Sequence, residues 1–246
     1  MRGEPGRGNM VTDMQSPAVA SRPGAHLVPR GHRAALDVTP RALVPLAVSS
    51  LLVYVALAML SAHPPIQALD QVARAWIQLL RHEAVFVAMG AVTTLGDHRG
   101  LVPLIVLTSL VLWRADRPWA LALPVIMAGT GLLQWIAKWV ADRPRPDTTP
   151  WGFPSGHVLS LVVLFGLIAY LVHRAAEGRG PRALAIGAAA AIVLVVAFSR
   201  LYLDRHWLSD VVGGAAIGAA YVLLVIWLVE LVRRRRAAGA PASPIL

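Results

Sequence analysis

The sequence contains no cysteine, which excludes a disulfide framework, a thiolate nucleophile and a zinc-thiolate site. Charge is scarce as well: 15% of the 246 residues are Asp, Glu, Lys or Arg, against 57% hydrophobic, and the mean hydropathy is +0.60. A soluble domain carries about 25% charged residues, so this composition points to an integral membrane protein. Lysine is almost missing, Lys138 standing alone among 23 basic residues. Those bases outnumber 13 acids, but the arginines gather near the two ends and in short breaks between apolar runs. Nucleic-acid binding asks for a continuous basic face, so the expected partner is the lipid bilayer and not nucleic acid. The apolar runs hold almost no ionisable residue at mid-depth, which argues against an ion or proton path through them.

A helix needs about 20 apolar residues to cross the hydrocarbon core. Five stretches approach that length: Ala42–Leu60, Pro118–Ala137, Val158–Val172, Ala183–Phe198 and Val211–Val229. Two shorter ones, Ala84–Gly96 and Leu101–Trp113, are separated by Asp97, His98, Arg99 and Gly100. If both crossed there would be seven spans, and one Arg-rich end would have to be translocated. With six spans both ends lie in the cytoplasm, together with Arg114, Arg117, Arg174, Arg179 and Arg182, as the positive-inside rule prefers. The expected fold is therefore an all-α, six-transmembrane helical bundle, with Leu101–Trp113 crossing and Ala84–Gly96 dipping or interfacial. The expected organisation is a disordered Arg/Gly/Pro-rich cytoplasmic tail over 1–41, a membrane domain over 42–232 and a basic cytoplasmic tail over 233–246.

After the first span, Ile66, Leu69, Val72, Ala73, Trp76, Ile77 and Leu80 recur at helical spacing, with Asp70, Arg74, Gln78 and Arg81 opposite. This reads as an amphipathic helix, either lying on the outer leaflet or packed against the bundle.

Polar chemistry is concentrated in three islands: Lys138–Pro146 (KWVADRPRP), Pro154–His157 (PSGH) and Ser199–Asp210 (SRLYLDRHWLSD). Taken singly each has an ordinary explanation. Lys138 and Arg145 could snorkel at a span end, Ser155 could cap the fourth span, and His206 with Asp210 could be an interfacial pair at i and i+4. In the six-span plan, however, all three islands fall on the outer side, where they can meet. Together they offer three fixed cations (Lys138, Arg145, Arg200), a hydroxyl and backbone amides at a helix start (Ser155, Gly156), two imidazoles (His157, His206) and a carboxylate, Asp210. Guanidinium forks and helix N-terminal amides are how proteins hold phosphate. Two His and one Asp could also ligate a divalent ion, but three cations in the same pocket would repel it, so no metal site is expected.

The patterns K-x6-R-P (Lys138, Arg145, Pro146), P-S-G-H (Pro154 to His157) and S-R-x5-H-x3-D (Ser199, Arg200, His206, Asp210) resemble the three signature motifs of the type 2 phosphatidic acid phosphatase superfamily, the lipid phosphate phosphatases and their relatives. No motif position departs from the pattern. The resemblance implies that His206 is the nucleophile accepting the phosphoryl group, that Asp210 orients and polarises it, and that His157 protonates the leaving oxygen. It implies that Lys138, Arg145, Ser155, Gly156 and Arg200 hold the phosphoryl oxygens, and that neither a metal nor another cofactor is needed. Elementary chemistry agrees: an imidazole attacks through one nitrogen when a carboxylate holds the proton on the other, and a rigid cationic cradle stabilises the charge of phosphoryl transfer.

The expected function is hydrolysis of a lipid phosphate monoester or diphosphate at the extracytoplasmic face of the plasma membrane, through a phospho-histidine. Candidate substrates are phosphatidate, phosphatidylglycerophosphate and undecaprenyl diphosphate. The resemblance extends to vanadium haloperoxidases, whose vanadate pocket is similar; those enzymes are soluble, which six spans oppose. A lipid phosphotransferase using the same site, or a non-catalytic lipid-binding membrane protein, are the alternatives.

Overall fold

The computed structural model describes Gly3 and residues 40–238. The expected N-terminal tail, up to residue 39 apart from Gly3, and the last eight residues lie outside them. Among the described residues there are eight α-helices, one short 3-10 turn and no strand. They are α1 (Pro40–Leu60), α2 (Pro64–Leu79), α3 (Glu83–Thr93) with the turn Thr94–Gly96, α4 (His98–Ala115), α5 (Arg117–Ala141), α6 (Gly156–Ala175), α7 (Arg179–Tyr202) and α8 (Leu208–Ala238).

Five of these, α1, α5, α6, α7 and α8, are long and apolar enough to cross a membrane, and α3 and α4 form a pair bent by 48° that supplies a sixth crossing. The 18 residues of α4 reach about 27 Å at 1.5 Å per residue, close to the thickness of the hydrocarbon core. The 11 residues of α3 are far too short to cross. The split at Asp97 falls at the bend between the two, where Asp97, His98, Arg99 and Gly100 interrupt the apolar sequence. The C-terminal boundary differs: α8 continues through Arg233–Arg236 to Ala238 instead of giving way to a tail at residue 233. Arginine is a good helix former, and it suits the negative end of the helix dipole.

The core lies on α6. Val158, Leu159, Leu161, Val163, Leu164 and Leu167 are all at most 1% exposed. Most of them pack against Trp119, Leu123 and Met127 of α5 and Ile217, Val222 and Ile226 of α8. The outer helices instead turn large apolar side chains outward, such as Leu52 of α1 at 63% and Val125 of α5 at 71%. A soluble protein rarely exposes so wide an apolar surface, whereas hydrocarbon chains cover it without cost.

Two devices set the site end of the bundle. Asp142 stops α5 in the left-handed region (φ 37°), its N–H bonding the Lys138 carbonyl at 3.0 Å. Pro144, Pro146, Pro150 and Pro154 then keep the linker to α6 out of helix. The other device is α2, which packs against the bundle, the second of the two expectations for it. Its polar face docks on the bundle: Arg74 grips Asp204 through two bonds of 2.7 and 2.6 Å, and Gln78 donates to the carbonyls of Leu201 and Tyr202. Its apolar face, with Leu69, Val72, Trp76 and Leu79, is exposed, as an interfacial helix requires.

These two surfaces make opposite predictions for the same substitution. Leu164→Ala should lower stability by about 2–5 kcal/mol, whereas Leu52→Ala, on the outward face, should be close to neutral. Thermal unfolding in a single detergent checks both; equal losses would mean that α6 is not the core.

Candidate active site

All three polar islands meet at one end of the bundle. The third begins with Ser199 and Arg200 in the last turn of α7, both buried, and runs through a turn into α8. That turn uses Asp204 at φ 57°, and the Arg205 N–H bonds the Arg200 carbonyl at 3.0 Å. His206 stands in the turn just before α8, and not on a shared helix face with Asp210 as the i, i+4 spacing had suggested. Asp210 occupies the third position of α8 and accepts the Trp207 backbone N–H at 2.9 Å, which is half of a capping box. The same oxygen, Oδ2, lies 3.3 Å from His206 Nδ1. The helix cap thus places the carboxylate on the imidazole and leaves Nε2 for chemistry.

The second island is tied to the third through backbone: the Ser155 N–H donates to the Asp210 carbonyl at 2.9 Å. Ser155 sits at the N-cap of α6, yet its hydroxyl makes no capping bond. It is fully buried and without a partner, so capping does not explain it. Gly156 is packed against the Gln134 side chain, where any Cβ would overlap it. In the first island, Lys138 Nζ donates to the Trp151 carbonyl at 2.6 Å and lies within electrostatic range of Arg145, Arg200 and Asp210. Arg200 donates to Thr93 Oγ1 at 2.8 Å.

The buried Nε atoms of Arg145 and Arg200 and the Ser155 hydroxyl all lack a hydrogen-bond partner. Burial without a partner costs about 1–3 kcal/mol per group, and three such groups at one site mark a place shaped for an acceptor that brings its own oxygens. A tetrahedral oxyanion has that chemistry. Among the described residues no group of three or more His, Asp or Glu is arranged to hold a metal ion.

His206 is the titratable group best placed to act as a nucleophile. Burial pushes its imidazolium down to about 4, opposed by the hydrogen bond and charge of Asp210 and reinforced by Arg200 and Lys138. At neutral pH the ring is therefore uncharged. His157, one residue into α6, faces the 3-10 turn; a Cβ on Gly96 would come within 2.8 Å of the His157 Cβ.

Several residues at the site were not anticipated. Arg143, inside the first island, donates to Asp210 Oδ1 (3.0 Å), Ser209 Oγ (2.6 Å) and Asp70 Oδ2 (2.7 Å). Asp70 comes from α2 and is 2% exposed. Thr93 and Gly96 come from the short segment before α4. An acid on the polar face of an amphipathic helix was the available signal for Asp70. Of the Asp97, His98 and Arg99 break, Asp97 and His98 border a groove between α4 and α5 that ends at His157; Arg99 does not.

A family model described as the PAP2 superfamily matches residues 119–234, which include all three islands. The chain is 29% identical over 180 residues to phosphatidylglycerophosphatase B of Bacillus subtilis (strain 168), covering 70% of this chain and 88% of that protein. It is 27% identical over 164 residues to lipid phosphate phosphatase delta of Arabidopsis thaliana, covering 59% of this chain but 38% of that one. Among solved structures, the transmembrane PAP2 type phosphatidylglycerolphosphate phosphatase from Bacillus subtilis superposes with a TM-score of 0.70 at 26% identity, over 76% of this chain and 98% of that one. Aquifex aeolicus LpxE shares the fold, with a TM-score of 0.50 at 20% identity over 64% of this chain and 93% of that one.

The state of His206 can be read directly. In a histidine-labelled NMR titration its ring should protonate near pH 4 instead of near the ordinary 6.5. Asp210→Asn removes the charge that favours the imidazolium and should move the transition lower still. A His206 that titrates near 6.5 would contradict the geometry.

Proposed function

We propose, on the premise that residues 119–234 form a PAP2 superfamily domain, that this protein is a membrane phosphatase that removes phosphate from a lipid phosphate monoester or diphosphate. The observation that carries this reading is the convergence of unpartnered oxyanion donors, Arg145 Nε, Arg200 Nε and Ser155 Oγ, on a site that also holds a neutral imidazole backed by a buried carboxylate. A bound phosphate would satisfy the donors, and Lys138 would add a third positive charge to the cradle.

In the proposed reaction His206 Nε2 attacks phosphorus while Asp210 keeps the proton on Nδ1 and stabilises the positive charge that develops on the ring. The bond from phosphorus to the lipid oxygen breaks, and His157, which takes up a proton once the phosphate dianion lies beside it, gives that proton to the leaving oxygen. The phospho-histidine is then attacked by water, whose proton returns to His157. Inorganic phosphate leaves and both rings regain their starting states. The role of the cations is to hold the three equatorial oxygens and spread their charge.

The groove supports a lipid as the group that leaves. It has a volume of about 570 Å³ and runs between α4 and α5, lined by Leu101, Val102, Ile105, Pro124 and Met127, with His157 and Ser160 at its end. A largely apolar groove bordered by His157 supports a reading in which the hydrocarbon chain lies next to the leaving oxygen. The extracytoplasmic side is favoured by the opposite end of the bundle, which carries Arg114, Arg117, Arg174, Arg179, Arg182 and the arginines ending α8. Phosphatidylglycerophosphate, the substrate class in the name of the Bacillus relative, is the first substrate to try, followed by phosphatidate and undecaprenyl diphosphate.

The purified protein in detergent micelles with excess EDTA should release phosphate from at least one of these lipids, and His206→Ala should abolish it. Release that survives the substitution would remove His206 from its role; acceptor-dependent product in place of free phosphate would make the protein a phosphotransferase.

Loss of the acid has a substrate-specific signature. A diphosphate expels phosphate, which needs less protonation than an alkoxide, so His157→Ala should slow monoesters more than diphosphates. Gly96→Ala, by pushing against His157, should cost about tenfold or more in kcat. Gly90→Ala, with open space around it, serves as its control on the preceding helix α3.

A further inference from the structure

We infer that Asp70, with Arg143, is a positioning residue for the nucleophile: it holds Arg143 between two carboxylates and so preserves the negative charge of Asp210 for His206. The inference deepens the proposed function and rests on it.

The geometry is a chain of shared donors. Asp70 accepts the Ser209 N–H at Oδ1 (2.8 Å), and the Ser209 hydroxyl (2.6 Å) and Arg143 (2.7 Å) at Oδ2. Arg143 points its other terminal nitrogen at Asp210 Oδ1 (3.0 Å) and at Ser209 Oγ (2.6 Å). The opposite oxygen of Asp210 faces His206 at 3.3 Å. All members of the chain are largely buried, Arg143 most exposed at 11% of its side chain, so little water screens them.

Charge counting shows what Asp70 does. With His206 neutral, Asp210, Arg143 and Asp70 sum to one negative charge. Without Asp70 the sum is zero, and Arg143 is drawn wholly onto Asp210, competing with the imidazole for the same carboxylate. Without Arg143 two buried carboxylates are left unneutralised on either side of Ser209. Without both, Asp210 again carries its charge undivided. The motif cations cannot replace this balance, because Lys138, Arg145 and Arg200 are needed for the phosphate and only raise the positive potential.

The groups that act directly on His206 are Asp210 on α8, Arg200 on α7, Lys138 on α5 and His157 on α6. Arg143 and Asp70 reach it through Asp210, Arg145 through Lys138, His157 and Arg200, Arg205 and Asp147 through Arg200, and Asp97 through His157 and Arg200. Removing the Asp70 charge makes this environment more positive and disfavours the imidazolium. The acid limb of the nucleophile must then move to lower pH while the rate falls, because the ring is less able to carry the charge that develops on attack.

The test is a cycle of Asp70→Asn, Arg143→Gln and the double variant, each checked for folding by thermal unfolding and assayed against the lipid the wild type cleaves. Asp70→Asn should lower kcat by about 10- to 100-fold, the range found when the partner of an active group is removed, with KM within a factor of about three and the acid limb displaced downward. The double variant should recover at least tenfold of that loss, since the two changes share one charge balance. A kcat within threefold of wild type, an unmoved acid limb, or a double variant no faster than Asp70→Asn would overturn the inference. If the wild type releases no phosphate from any lipid, the functional reading fails by itself; the His206 NMR titration still decides this inference, which requires the transition to move down in Asp70→Asn and back up in the double variant.

Discussion

One buried carboxylate organises this end of the molecule. Asp210 is fully enclosed, and each of its oxygens has a different duty. Oδ2 takes the Trp207 N–H that begins α8 and faces the His206 ring, while Oδ1 takes Arg143. A single side chain therefore starts α8, orients the His206 ring and anchors the linker between α5 and α6. An isolated carboxylate in such a place would cost several kcal/mol, and the contacts with Arg143, Trp207 and His206 offset that cost. The close approach of α6 to α8 follows from the same place, because the Ser155 N–H bonds the Asp210 carbonyl.

The arrangement couples the chemistry to the membrane through α2. Its polar face carries Asp70, Arg74 and Gln78 into the turn that presents His206, and its apolar face holds Leu69, Val72, Trp76 and Leu79 outward. The guanidinium groups of Arg74 and Arg143 each lie 5.8 Å from the Trp207 ring, adding cation-π attraction at the junction. A helix that is satisfied on one side by the bundle and on the other by apolar surroundings is held best where water, lipid and protein meet. Detaching it would expose the Asp70–Arg143 contact to water, and its electrostatic influence would fall with the rise in dielectric constant.

The sequence made the spans legible because hydropathy acts along the chain, and the break at Asp97 was readable because a short helix cannot cross. The three islands were legible for another reason: their residue types and spacings are local and recur in a recognisable order. Asp70, Arg143, Thr93 and Gly96 escaped because their meaning is tertiary. Asp70 meets Ser209 across 139 positions and Thr93 meets Arg200 across 107, and no periodicity encodes a pairing of that kind. Arg143 lay in plain sight within the first island, but charge alone could not separate it from Arg145. That α8 stays helical past residue 233 was not legible, because a run of arginines reads as polar while helix propensity carries the helix through it.

Partners sort the cations at the site better than position does. Arg74, Arg143 and Arg205 each have a carboxylate: Asp204, Asp70 with Asp210, and Asp147. Lys138, Arg145 and Arg200 have none among the described ion pairs; Lys138 rests on a carbonyl and Arg200 on a hydroxyl. Like charges held together without ion-pair partners repel, as Arg145 does toward Lys138 and Arg200, and the fold, anchored by α6 and the proline-rich linker, must bear that repulsion. The same expense makes the pocket selective. A neutral headgroup relieves nothing, whereas a phosphate dianion relieves the repulsion and fills the unpaired donors at once. The three motif cations share one electrostatic feature, the absence of a carboxylate ion pair among the described residues, and it leaves each of them free to meet an oxyanion.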